Sequence, residues 1–332
     1  MTGATGRPTR ARVTVEITLE HLDPAAEMAA LRDALLETPR RIPSRYFYDR
    51  RGSELFEAIT ELPEYYPTRA ESALLEAHAD EIARATGAED LVELGSGAAS
   101  KTRILLDAMA RAGNLRTYVP LDVSEAMVRR SAEELAAAYP ELTVHGLVAD
   151  FRHHLDHIPA GEPRLVIFLG STIGNLRPDE AVAFLRGIAA PMAPADFFLL
   201  GVDLVKETSV IEAAYNDADG LTAEFNRNIL RVVNRLAGGD FAPENFAHRA
   251  FFDPVNRWIE MRLVTRRRHE VRLRALDLTL DLAAGEELLT EISCKYERPQ
   301  VEWMLAAGGF RLEHWYAGGG RLFGLALARR AG

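Results

Sequence analysis

An α/β fold is what this sequence predicts: a mostly parallel sheet covered on both faces, joined to a second, smaller α+β unit. Three observations carry that expectation. Between Ala70 and Val205, short apolar strands alternate regularly with helical segments, the grammar of a parallel sheet. After Val205 the alternation breaks into helix, polar loop and period-two runs. The chain has 332 residues, 48% hydrophobic and 27% charged, which is long enough for two globular units and excludes disordered and fibrous architectures.

The first residues alternate polar and apolar types, an extended start without the continuous apolar core of a signal peptide. Asp23 to Leu36 has helical spacing and stops before Pro39. In the stretch that follows, Tyr46, Phe47, Tyr48, Phe56, Tyr65 and Tyr66 offer more amphipathic aromatic surface than one short helix at 53–59 needs. That surplus suggests a lid over a ligand pocket; the competing reading makes these rings anchors of the helix against the main body. Helix 71–86 then leads into strand 90–95, helix 100–113, strand 116–124, helix 125–140, strands 142–151 and 165–170, helix 178–192 and strand 196–204. Residues 206–250 read as helix and polar loop, with Gly238 and Gly239 ending a helix. Two period-two runs in 257–282 are expected to pair antiparallel, their arginine-rich face turned to solvent. A glycine-stopped helix at 301–310 and a hairpin at 311–330 close the chain, the hairpin completing the sheet.

Charge and cysteine content narrow the partners. Lys+Arg at 39 against Asp+Glu at 49 gives a net charge of −10, which opposes nucleic acid and anionic membrane surfaces. Cys294 is the single cysteine, so no intramolecular disulfide forms, and no apolar run approaches a membrane span. A soluble, cytoplasmic protein is expected. His153, His154 and His157 have a spacing that invites a metal, but they lack a clear third ligand and no metal is predicted. Cys294 has no histidine partner that would make it a nucleophile, and burial explains it more simply.

Ligands of parallel sheets bind beyond the carboxyl ends of the strands. There the sequence places Glu93-Leu94-Gly95-Ser96-Gly97, a turn that lets backbone approach a ligand. Asp122 follows the next strand and can accept ribose hydroxyls; a helix-cap role competes, but Ser124 is the better cap. Asp150 and Phe151 offer an acceptor for an exocyclic amine and an apolar wall, and residues 170–176 form a glycine-lined corner carrying Asn175. Glycine loop, acid, acid plus aromatic, and polar corner make a nucleoside-like set. It fits S-adenosylmethionine at least as well as NAD, and with the former implies methyl transfer.

These segments, with residues 45–71, 91–102, 118–124, 149–151, 168–176, 202–207, 214–217, 259–263 and 290–296, make the chain resemble the histidine Nα-methyltransferases that form hercynine in ergothioneine biosynthesis. The resemblance covers nearly the whole chain. It implies a Rossmann-like S-adenosylmethionine-dependent methyltransferase domain (70–205 and 296–330) and an α+β substrate-binding domain (17–69 and 206–295). It implies a monomer that methylates the α-amino nitrogen of L-histidine three times, through mono- and dimethyl intermediates, releasing S-adenosyl-L-homocysteine and needing no metal. By the same resemblance Gly95, Lys101, Asp122, Asp150 and Phe151 hold the cofactor, Lys101 near its carboxylate. Tyr48, Phe56, Tyr65, Gly170, Thr172, Asn175, Tyr215, Met261, Glu291 and Ser293 surround histidine, with Asn175, Tyr48 and Tyr215 as the catalytic group.

In that role Asn175 accepts a hydrogen bond from the amine, and the Tyr48 and Tyr215 hydroxyls hold the carboxylate. Glu291 and Ser293, two apart on an extended segment, point to one side and grip the imidazole. Without the resemblance Glu291 reads as half of a surface ion pair and Met261 as core filling. An N-methyltransferase acting on another amino acid, and a nicotinamide oxidoreductase or silent nucleoside-binding protein, are the alternatives.

Overall fold

The structure is a computed structural model and describes residues 13–18, 24–97, 99, 101–151, 153–161 and 163–331. In chain order, β1 (Val13–Ile17), α1 (Pro24–Leu36), β2 (Arg40–Arg41), α2 (Arg50–Thr60) and α3 (Tyr66–Thr86) come first. The alternating run follows as β3 (Asp90–Leu94), α4 (Thr102–Ala112), β4 (Thr117–Asp122), α5 (Glu125–Ala138), β5 (Thr143–Val148), β6 (Arg164–Phe168), α6 (Pro178–Ala189) and β7 (Phe197–Asp203). Then come α7 (Thr208–Ala213), α8 (Leu221–Ala237), β8 (Phe246–Asp253), β9 (Trp258–Thr265), β10 (His269–Leu273), β11 (Leu278–Leu282) and β12 (Glu287–Cys294). The chain ends with α9 (Arg298–Ala307), β13 (Phe310–Ala317) and β14 (Phe323–Arg330).

Eight strands form the main sheet in the order β1-β5-β4-β3-β6-β7-β14-β13, parallel from β1 through β7. The closing hairpin is antiparallel to this set at β14. Alternate strand residues serve opposite faces. Leu91, Tyr118, Val144 and Leu165 pack with α3, α4 and α5, whereas Val92, Val119, Val166 and Phe198 pack with α6 and α9. Because the chain winds outward from β3 in one direction and from β6 in the other, these adjacent strands leave a crevice between their carboxyl ends.

A second sheet, β2-β12-β9-β8, is covered by α1, α2 and α8 over a separate apolar core. Its strand β12 runs back to the main sheet, where Tyr296 N–H donates to the Asp203 carbonyl at 2.9 Å and Val205 N–H to the Tyr296 carbonyl at 3.0 Å. A Cβ at Gly174 would lie 3.0 Å from the Cys294 carbonyl oxygen. Glycine there is what lets β12 pass so close to the strand-end loop of β6.

Several sequence expectations change. The extended start, where described, is an edge strand of the main sheet, pairing β5 in parallel. The two runs in 257–282 do not pair with each other: β9 lies between β8 and β12, while β10 pairs with β11. Asp277 adopts a left-handed conformation (φ 45°) that folds β10 onto β11, which leaves β9 free for other partners. Strand β8 begins within the segment read as helix and loop, because its burial does not alternate cleanly and its pairing comes from β9. Tyr46, Phe47 and Tyr66 are buried in the core of the second unit, so half of the expected aromatic lid is packing. Ser124 occupies the cap position of α5 but makes no side-chain cap bond; Asp122 accepts its N–H instead.

Candidate active site

A cavity of about 880 Å³ opens at the crevice between β3 and β6 and extends under the second sheet. That volume is in the range of small-molecule sites. Every site residue named from the sequence lines it.

At the main-sheet end, Gly95 turns the chain out of β3 with φ 73°, a conformation that a side chain would strain. Asp122, at the end of β4, accepts the Gly97 N–H and the Ser124 N–H, each at 2.9 Å. Burial nevertheless raises its pKa, with the backbone donors acting in the opposite direction. Phe151 packs on Phe168 and Phe184 with ring centroids 5.2 and 5.5 Å away. Asp150 is buried beside it, and its N–H donates to His154 Nδ1 at 3.1 Å. Lys101 pairs with Glu71, a fully buried carboxylate of α3 that also accepts the Gly170 N–H at 2.8 Å. Glu93 accepts from Thr102 Oγ1 at 2.6 Å and from the Tyr118 hydroxyl, and burial pushes it up to about 7.

The other end is aromatic and polar. Tyr48, Phe56 and Tyr65 stand edge to face, with centroids 5.9 and 6.1 Å apart, against Phe225 of α8. Gly170, at φ 73°, turns the chain into a 3-10 turn over Thr172–Asn175, which presents Asn175. From β12 come Glu291 and Ser293; the antiparallel register sets Met261 of β9 directly across from Glu291. Ser293 Oγ lies 2.9 Å from the Tyr215 hydroxyl, which joins a residue expected at the imidazole to one expected at the carboxylate. The Tyr48 and Tyr65 hydroxyls, the Asn175 amide and the Glu291 carboxylate line the cavity without a hydrogen-bond partner among the described residues. Burial lifts Glu291 to about 7, opposed by the ammonium of Lys295.

Sequence reasoning assigned no role to Glu71, Glu93, Asp203, Phe225 or Lys295. An acid ending the apolar strand FFLLGVD was a usable signal for Asp203; Glu71, an acid on a helix, gave none. Cys294 is buried, its thiol pushed up to about 11 by that burial and 3.6 Å from the Leu176 carbonyl. Among the described residues no group of three His, Cys, Asp or Glu side chains could hold a metal, and no helix is long and apolar enough to cross a membrane.

Residues 27–330 match the family described as "Histidine-specific methyltransferase, SAM-dependent". The chain belongs to that family. Relatives of this methyltransferase include the Histidine N-alpha-methyltransferase of Mycolicibacterium smegmatis, 47% identical over 310 residues that cover 93% of this chain and 97% of the relative. The protein of that name from Mycobacterium tuberculosis is 46% identical over 309 residues, 92% and 96% of the two chains. Ergothioneine biosynthesis protein 1 of Neurospora crassa is 34% identical over 264 residues, covering 74% of this chain and 29% of that protein.

The residues present fit the family's cofactor. Ser96 Oγ, in the glycine loop lining the cavity, is buried without a hydrogen-bond partner among the described residues. Beside it stand an acidic side chain at the end of β4 and an acid with an aromatic ring just beyond β5, a donor-acceptor set suited to a nucleoside.

Proposed function

We propose that this methyltransferase transfers three methyl groups to the α-amino nitrogen of L-histidine, giving Nα,Nα,Nα-trimethyl-L-histidine (hercynine) for ergothioneine biosynthesis. The observation that carries the substrate reading is the cluster of polar groups at the second-sheet end that have no hydrogen-bond partner among the described residues: two hydroxyls, one amide and one carboxylate around a cavity floored by Met261. A zwitterionic amino acid with a hydrogen-bonding ring satisfies such a set. The curated relatives named for histidine Nα-methylation, matched over nearly their whole length, support the same reading.

In this reading Gly95, Lys101, Asp122, Asp150 and Phe151 hold S-adenosyl-L-methionine, and the two sheets correspond to a methyltransferase domain (70–205 and 296–330) and a substrate domain (17–69 and 206–295). The β1 strand, paired into the main sheet, serves the first of these. Bound S-adenosylmethionine supplies an electrophilic sulfonium methyl. The chain's own residues do the rest by alignment and exclusion of water. Asn175 accepts from the amine and directs its lone pair; Tyr48 and Tyr215 hold the carboxylate; Glu291 and Ser293 contact the imidazole. Phe56, Tyr65, Gly170, Thr172 and Met261 shape the wall. The enzyme works as a cytoplasmic monomer, without a metal, and releases S-adenosyl-L-homocysteine.

Incubation with S-adenosylmethionine and all twenty amino acids, followed by mass analysis, tests the proposal. Histidine alone should gain one, two and three methyl groups. Methylation of a different amino acid, or on a ring nitrogen, would overturn it.

A further inference from the structure

Behind the substrate wall lies a buried charged network that the methyl-transfer scheme does not use. Lys295 and Asp203 are each 1% exposed. The Lys295 ammonium has three N–H groups and three acceptors: Asp203 Oδ2 at 2.9 Å, Ser293 Oγ at 2.8 Å and the Tyr215 hydroxyl oxygen at 3.0 Å. Asp203 is further held by the Tyr66 hydroxyl at 2.8 Å and by Lys206 at 2.5 Å. The lysine is thus anchored from below and aimed at two hydroxyls that line the cavity.

An ammonium has donors and no acceptor, so both hydroxyl oxygens must accept from it. The hydroxyls also bond each other at 2.9 Å, which uses one of their two hydrogens. Whichever of them donates, one O–H is left over, and it belongs to the oxygen whose two lone pairs are already taken. That oxygen can offer the cavity only its O–H, while the donating oxygen keeps one lone pair. Without Lys295 the first oxygen too could turn and offer a lone pair.

We infer that Lys295 is a positioning residue that fixes the hydrogen-bond polarity of the Tyr215–Ser293 pair, so that this wall presents an O–H to an acceptor atom of the amino-acid substrate. The acceptor is a carboxylate oxygen or the unprotonated nitrogen of a neutral imidazole. Glu291, on the same strand, supplies the complementary acceptor. The inference rests on the proposed substrate reading of Tyr215 and Ser293.

Two double variants separate donation from charge balance: Lys295→Met/Asp203→Asn and Lys295→Gln/Asp203→Asn. Both remove the buried ion pair, but only glutamine keeps N–H donors on the same side chain. Thermal unfolding and S-adenosylhomocysteine binding report that the fold and cofactor site persist. The methionine variant should raise KM for L-histidine at least about tenfold with a smaller change in kcat, and the glutamine variant should recover most of that loss. Equal KM values in both variants, whether both raised or both unchanged, with cofactor binding intact, would overturn the inference. If the methionine variant does not fold, the glutamine variant decides: a KM within about threefold of the parent supports it and a tenfold rise overturns it. Tyr215→Phe and Ser293→Ala in the parent test the underlying reading. If they raise KM while the lysine variants do not, only the lysine inference fails; if neither raises KM, the substrate assignment fails and takes the inference with it.

Discussion

Asp122 accepts the Gly97 N–H at 2.9 Å, so the acid at the end of one strand also shapes the glycine loop after its neighbour. Its carboxylate retains lone pairs for a ribose while both oxygens serve backbone donors. Asp122→Ala should weaken S-adenosylhomocysteine binding by at least about tenfold, since a charge-assisted acceptor contributes roughly 1.5–3 kcal/mol. Titration calorimetry decides it: an unchanged midpoint and heat would remove Asp122 from the cofactor site.

Glu71 ties two strand-end loops of the main sheet together, because its fully buried carboxylate holds Lys101 and the Gly170 N–H. Glu71→Ala leaves a lysine without its partner and an amide without its acceptor. Breaking a buried pair in this way costs about 3–5 kcal/mol, which a urea unfolding curve would show as a lower midpoint. A midpoint equal to the parent's would mean that water or a neighbour replaces the carboxylate.

The sequence was most informative where backbone and chemistry coincide. Strand-end residues such as Gly95, Asp122 and Gly170 were legible because a parallel sheet sends its carboxyl ends to one edge, whatever the details of packing. Phe47 and Tyr48 show the opposite case. They are adjacent and both aromatic, yet the first is wholly buried on Phe225 and the second 36% exposed at the cavity, a difference set by the 3-10 turn over Ser44–Phe47. Lys295 lies in segment 290–296, which helps carry the family resemblance, but its ion pair with Asp203 joins positions 92 apart in sequence, and only the return of β12 to β7 brings them together. Strand β8 stayed hidden for a related reason, since a partner strand and not its own pattern makes it a strand.

Glu291 should make the ligand-free protein less stable as pH rises. Burial raises its carboxyl from 4.5 to about 7, so the folded chain holds this proton more tightly than the unfolded one. Stability is therefore lost between those two values and stays lost above them. Glu291→Gln has no proton to lose. Its stability relative to the parent should be small at pH 4.5 and should grow by on the order of 3 kcal/mol by pH 8. Urea unfolding at the two pH values checks it; a difference that does not change with pH would mean Glu291 has an ordinary carboxyl pKa.

Turnover has a separate pH dependence. Only the neutral amine is nucleophilic, and α-amino groups of chain termini titrate near about 7.7–8.0, with free amino acids higher. kcat/KM with unmethylated histidine should rise at least about fivefold from pH 7 to pH 9. A flat profile, with methyl transfer shown to limit turnover, would mean that the bound amine loses its proton to a group of the enzyme.

Selectivity for the ring should rest on two residues that the register sets side by side. Glu291 of β12 and Met261 of β9 are directly opposite in an antiparallel pair, so their side chains share one face. The carboxylate has no hydrogen-bond partner among the described residues and Met261 is 1% exposed, which makes one the polar contact of this wall and the other its volume. A hydrogen bond from an imidazole N–H to the carboxylate is worth roughly 1.5–3 kcal/mol, and an apolar side chain cannot replace it. The same carboxylate opposes a larger apolar ring, which would bury it unpaired. Glu291→Ala should therefore lose kcat/KM for L-histidine by tenfold or more, on the order of that energy, while losing much less or gaining for L-tryptophan. Met261→Val alone should change little, because room without the polarity change still leaves a buried carboxylate against the indole. Combined, the two should shift preference further toward tryptophan than either does singly, a coupling expected of residues in contact. Parallel kinetics with histidine, tryptophan and phenylalanine give the answer. An equal proportional loss for all three would assign Glu291 to shaping the cavity, and the source of ring selectivity would then lie with Ser293 and the hydroxyl beside it.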